Sequence, residues 1–145
     1  MANEHLENLA TSGMLKAEPA TADEVSGLVR SGTARLADAK NEGLSLESRF
    51  DLAYNAAHAL SLAGLRIAGY RTNNRYLVFQ CLGHTLGVPN ENWRLLDQAH
   101  RRRNLVEYEG VTDVEESLVE ALIRVAEDIA SRLSEIRFGP ETGRE

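Results

Sequence analysis

Five side chains able to do chemistry lie close together in one stretch: His100, Arg103, Asn104, Glu107 and Tyr108. An imidazole moves protons near neutral pH, and a guanidinium grips a phosphate or carboxylate through parallel hydrogen bonds. An amide and a phenol beside them orient whatever anion is held. Steps of three and four from Trp93 reach Leu96, His100, Arg103 and Glu107, so these residues share one face of a helix. The face begins apolar and turns polar halfway. Such a helix either leaves the core at that point or lines a polar site. Arg94, Arg101, Arg102 and Arg103 against Asp97 form a local basic patch. Successive residues point about 100° apart, so a solvated helix end accounts for Arg101 and Arg102. Arg103 and Asn104 continue the inward line, as an anion site or an internal ion network would.

The surrounding pattern predicts an all-α, single-domain, antiparallel bundle of about five helices. Residues 1–20 read as an N-terminal arm with a short helix around Ala2–Leu9, broken by Ser12-Gly13 and Pro19. The bundle spans 21–138, and 139–145 form a tail. Thr21-Ala-Asp-Glu24 is a capping box opening a helix with Val25, Leu28, Val29 and Leu36 inward. Gly27 and Gly32 weaken that helix but allow a neighbour close. Ser45 caps the next helix, to Gly69, whose apolar rows (Phe50, Ala53, Ala57, Leu60 and Ala56, Ala59, Ala63) mark it as central. Asp51, Asn55 and His58 share its third face. A helix over 75–86 stops at Gly87 and Pro89, and the Trp93 helix runs from about Asn90 to Glu109, with Gly110 as its end signal. Thr112-Asp-Val-Glu115 is a second capping box. It opens the clearest amphipathic row: Val114, Leu118, Leu122, Val125, Ile129, Leu133 and Ile136. No strand is expected.

Composition narrows the function classes. A net charge of −6 over 145 residues argues against attraction to nucleic acid over the whole surface, though not against a local patch. One cysteine, Cys81, permits neither an internal disulfide nor a cysteine-based zinc site; it reads as an interior thiol. His5, His58, His84 and His100 lack ligand spacing, so no metal site and no cofactor are expected. No glycine-rich phosphate loop is present. No apolar run is long enough to span a membrane and no leader is recognisable, so a cytoplasmic protein is expected.

Arg49-Phe-Asp-Leu-Ala-Tyr-Asn-Ala-Ala-His-Ala-Leu60, paired with Arg102-Arg-Asn-Leu-Val-Glu-Tyr108, resembles the HEPN superfamily (higher eukaryotes and prokaryotes nucleotide-binding). The resemblance covers about residues 21–136. It implies a helical bundle, commonly a homodimer, acting on or binding RNA or nucleotides. It also implies partners of two kinds, a nucleotidyltransferase or an antitoxin. Many members are metal-independent ribonucleases with an Arg-x-x-x-x-His motif. Here the motif falls on Arg103 and Asn104, but the fifth position is Tyr108, a poor proton carrier at neutral pH. Arg94 and His100 satisfy a looser spacing. The resemblance therefore implies a binding module without strong catalysis: Arg103 holding an anion, Asn104 orienting it, Tyr108 bonding or stacking, and Asn55 and His58 forming the facing wall. Two alternatives stay open. One is a toxin-type ribonuclease with His100 or His58 as acid/base and Arg103 stabilising the phosphorane. The other is a structural protein whose polar cluster is an internal network.

Overall fold

The computed structural model describes residues 3–110 and 114–136, with residues 106–109 in their backbone alone. The fold is an all-α bundle of seven described helices and one two-stranded ribbon, where about five helices and no strand were expected. The helices are α1 (Glu4–Thr11), α2 (Ala22–Ala39), α3 (Leu46–Ile67), α4 (Arg75–Gln80), α5 (Leu82–Thr85), α6 (Asn90–Glu109) and α7 (Glu116–Ser134). Strands β1 (Lys16–Ala17) and β2 (Tyr70–Arg71) pair antiparallel, Lys16 opposite Arg71 and Ala17 opposite Tyr70. Two residues are too few to show a period, which is why neither strand is visible in the sequence. The tail from 139 lies outside the described residues.

Helix α3 is the centre of the main core. Phe50, Ala53, Ala56, Ala57, Leu60 and Ala63 are buried, as the apolar rows require, and α2 and α7 pack on them. Gly32 lets α2 come close: a Cβ there would stand 2.7 Å from Leu60 Cγ and 3.3 Å from the Ala56 carbonyl oxygen. Gly27 meets nothing within 4 Å and has no such role. The predicted α7 row is buried from Leu118 to Leu133. Each such side chain contributes about 1.5–3 kcal/mol over its exposed state. Ile136 departs from it, lying exposed beyond the helix end. Thr112 and Asp113 of the second capping box lie outside the described residues; the N-cap is Glu115, without a side-chain cap bond. Buried Arg49 donates from Nε to the Ala39 carbonyl oxygen at 2.8 Å, satisfying an acceptor at the end of α2.

The expected helix over 75–86 is two. It breaks at Cys81, where Asn74-capped α4 ends and α5 starts without a side-chain cap. Gly87, at φ +69°, turns the chain away, and Gly110, at φ +71°, ends α6 as its sequence indicates.

The N-terminal arm belongs to the folded body. Leu6 and Leu15 are buried with Leu65, Leu77, Val78 and Cys81 in a second, smaller core. Its anchor is Arg66, whose side chain is 0% exposed. Arg66 donates to both Glu24 carboxylate oxygens (Nε at 2.8 Å, Nη2 at 3.1 Å) and to the carbonyl oxygens of Glu18, Pro19 and Tyr70. Arg71 completes the network, reaching Glu18 at 3.0 Å and Glu24 at 2.6 Å. Thr21 does cap α2, accepting from the Glu24 N–H at 3.1 Å. The Glu24 carboxylate, however, is held chiefly by Arg66, with the Thr21 amide a smaller influence. Among the described residues, no helix is long and apolar enough to cross a membrane.

Candidate functional site

Three helices bring their polar residues together around one phenol. Tyr54 comes from α3 and is fully buried; its hydroxyl lies 3.0 Å from His100 Nδ1 of α6. One turn along α6, Arg103 places its guanidinium 5.1 Å from the Tyr54 ring centroid. From the first turn of α4, Arg75 stands 5.6 Å from the same centroid. Arg75 also donates to Asn55 Oδ1 at 3.1 Å, while Asn55 Nδ2 donates back to the Asp51 carbonyl oxygen at 2.8 Å. Thus two cations from different helices converge on one aromatic ring, an attraction worth about 0.5–2 kcal/mol each.

The spacing within each helix explains the convergence. Tyr54 and His58 are four apart on α3, His100 and Arg103 three apart on α6, and Arg75 and Phe79 four apart on α4, so each pair shares a face. His58 meets Phe79 edge to face, with centroids 6.1 Å apart. His100 is flanked by Tyr76 at 6.0 Å, and Tyr76 by Trp93 at 5.9 Å.

The electrostatics follow from that packing. Burial pushes the His58 imidazole down to about 4, helped by the nearby charges of Arg75 and Arg103. His100 is lowered too, mainly by burial; Asp97 opposes this, and Arg103 and Arg75 add to it. Both imidazoles are therefore neutral at pH 7, and the guanidiniums carry the local charge. Arg75 has no carboxylate partner among the described residues. Asp97, on α6, is paired with Arg101 at 2.8 Å.

Of the residues singled out in the sequence, His100 and Arg103 both meet Tyr54, Asn55 joins the cluster through Arg75, and His58 packs on Phe79. Asn104 is half-buried and makes no hydrogen bond among the described residues. The side chains of Glu107 and Tyr108 lie outside them, so the Tyr108 role is carried by the sequence alone. Arg94 is exposed, away from the inward face that carries His100 towards Tyr54. Arg101 is exposed, as a solvated helix end would have it, and pairs with Asp97; Arg102 is partly buried and pairs with exposed Glu115. Reasoning from sequence missed Tyr54, Arg75 and Tyr76. Tyr54 had a usable signal, sitting one turn before His58 among small residues. Arg75 had none.

The remaining histidines also pair, His5 stacking on His84 with centroids 4.0 Å apart. Cys81 is buried, and burial pushes its thiol up to about 11, consistent with an inert interior residue. Among the described residues no three His, Cys, Asp or Glu side chains assemble a metal site.

What fold and site define together is an all-α bundle with a cationic, aromatic-walled cluster between α3, α4 and α6. The sequence matches no model of a known protein family and no curated protein.

Proposed function

We propose that this bundle is an HEPN-like module that binds the phosphate of a nucleotide or RNA through Arg75 and Arg103, without strong catalysis. One observation carries the reading: two guanidiniums from different helices converge on one buried phenol, Tyr54. Two guanidiniums so placed can grip one phosphate together. Asn55 steadies Arg75, and Asn104, half-buried beside Arg103, is placed to orient the ligand. In the family resembled, two copies usually form the cleft, so a cytoplasmic homodimer with a nucleotidyltransferase or antitoxin partner is part of the proposal. Exposed Leu105, next to this cluster on α6, offers apolar surface for such a contact.

The ribonuclease reading has its own support in the Tyr54–His100 bond, which fixes the imidazole through Nδ1 and leaves Nε2 to act. In-line cleavage, however, needs a proton donor for the leaving 5′-oxygen as well as a base for the 2′-hydroxyl. With His58 and His100 both held neutral, the cluster offers a base without a good acid at pH 7.

A short 5′-phosphorylated RNA tests both readings. Arg75→Gln and Arg103→Gln are each expected to weaken binding about tenfold or more, the loss of a charged hydrogen bond, with little change in melting temperature. The RNA should remain intact. Cleavage abolished by His100→Ala establishes the ribonuclease instead. Unchanged affinity with a collapsed melting temperature in Arg103→Gln establishes an internal network.

A further inference from the structure

On the far side of Trp93 from the cation cluster lies an open cleft of about 430 Å³ between α1, the α4–α5 corner and the start of α6. Its size falls within the range of small-molecule sites, which in helical bundles commonly lie between helices. Leu9, Leu77 and Val88 give it an apolar floor, and the indole of Trp93 forms one wall. His5 and His84 lie at its edge with their rings nearly parallel, 16° apart and 4.0 Å between centroids. Asn3 Nδ2 donates to the His84 carbonyl oxygen at 3.1 Å and ties the first turn of α1 to α5, so the arm is a fixed wall.

The chemistry of the lining is selective. None of the residues around the cleft is Asp, Glu, Lys or Arg, although such residues make up 26% of the chain. Its polar groups are instead two amides, Gln80 and Asn90, each both donor and acceptor, and the two imidazoles. Burial, with His5 beside it, lowers the affinity of His84 for a proton. An ion entering the cleft would lose water and gain no countercharge, which costs several kcal/mol. A flat ring would gain stacking against indole and imidazole faces, and ring nitrogens or carbonyls would meet the amides. Met14, 53% exposed at the mouth, is a flexible thioether able to close over such a ring.

We propose that this cleft binds an uncharged, flat heteroaromatic molecule, independently of the anion site. It would make the arm of residues 3–15 part of a ligand site, in addition to its place in the small core.

Trp93, the only tryptophan, reports on occupancy directly. The probe is benzimidazole at pH 8, where it is uncharged, with benzoate and cyclohexanol as charged and non-aromatic comparisons. Gly83 lines the cleft, and a Cβ there meets only the Val88 carbonyl oxygen within 4 Å, at 3.7 Å, so Gly83→Leu adds bulk to the lining with no clash at its Cβ. Gly27→Ala, on α2 with open space around it, is the distant control. The expected result is a saturable change in Trp93 emission with benzimidazole, weakened at least tenfold by Gly83→Leu and unchanged by Gly27→Ala. The comparison molecules should give no saturable change. No saturable response to benzimidazole overturns the proposal. So does a response that Gly83→Leu leaves intact or that benzoate reproduces.

Discussion

Arg66 and Arg71 sit against two carboxylates; Arg75 and Arg103 sit against an aromatic ring. In the first pair every donor of the buried guanidinium meets an acceptor, and Glu18 and Glu24 are shared between both arginines. Charge is matched by charge, and the outcome is architectural: the arm is joined to the end of α3 and to β2. In the second pair the positive charge is softened by the Tyr54 π-face and steadied by an amide. The neutral imidazoles of His58 and His100 lie close by. The difference separates arginines held by carboxylates from arginines held against an aromatic face. Arg66 and Arg71 serve the architecture. Arg75 and Arg103 are the pair to which the proposed function assigns ligand binding.

The largest expected effect breaks the architectural half. Arg66→Met removes the buried guanidinium and leaves Glu24 and the carbonyl oxygens of Glu18, Pro19 and Tyr70 without their main donor. Removing one partner of a buried ion pair costs about 3–5 kcal/mol. Urea or thermal unfolding should show that loss, while binding of phosphorylated RNA by the protein still folded stays unchanged. A variant as stable as its parent would mean that apolar packing alone holds the arm.

The same contrast explains what was legible in the sequence. The α7 row, the core rows of α3 and the Gly110 stop are local patterns, each set by neighbours three or four residues away, and they appear as expected. Arg66 and Glu24 are 42 residues apart, so nothing nearby marks either as half of a buried pair. Glu24 looked like a capping-box residue because that is the only partner a local pattern can offer it. The break at Cys81 escaped notice because Leu77, Phe79 and Leu82 remain on a plausible helical face on either side of it. At the site, the α6 stripe puts His100 and Arg103 on the face that meets Tyr54. Tyr54 and Arg75, which complete the cluster, arrive from other helices and depend on tertiary packing.

A second effect comes from protons. Glu24 is held below its ordinary range chiefly by Arg66, and Glu18 chiefly by Lys16 and then Arg71. Their contribution to stability is present above the ordinary carboxylate range and is lost as pH falls through their lowered values. His58 acts at higher pH. Folding depresses its value from 6.5 to about 4, so between those limits the unfolded chain binds a proton that the folded chain refuses. Stability therefore falls as pH drops through that window, by up to about 3 kcal/mol, with His100 adding in the same direction. His58→Gln should flatten the melting curve between pH 6.5 and 4 and leave the carboxylate-driven loss at lower pH in place. Parallel curves for the parent and His58→Gln would show that burial in the folded chain does not hold this imidazole neutral.

The smallest effect sharpens the comparison most, because it separates position from charge. Arg102 adjoins Arg103 in sequence but turns away, bonding both oxygens of the Glu115 carboxylate at 3.1 Å. Glu115 is 62% exposed, so water competes for the pair and it adds little to stability. Arg102→Ala is expected to move the melting temperature by no more than about 2 °C. It should also weaken binding of phosphorylated RNA by less than about threefold, since Arg102 already has its countercharge and contributes only through the general field. Arg103→Gln removes the same unit charge from the next position and is expected to cost tenfold or more. Were the two losses equal, affinity would come from the summed charge of the α6 end, and the convergence on Tyr54 would be irrelevant to binding. A clear separation between them assigns the affinity to the α6 arginine that the fold aims at the ring.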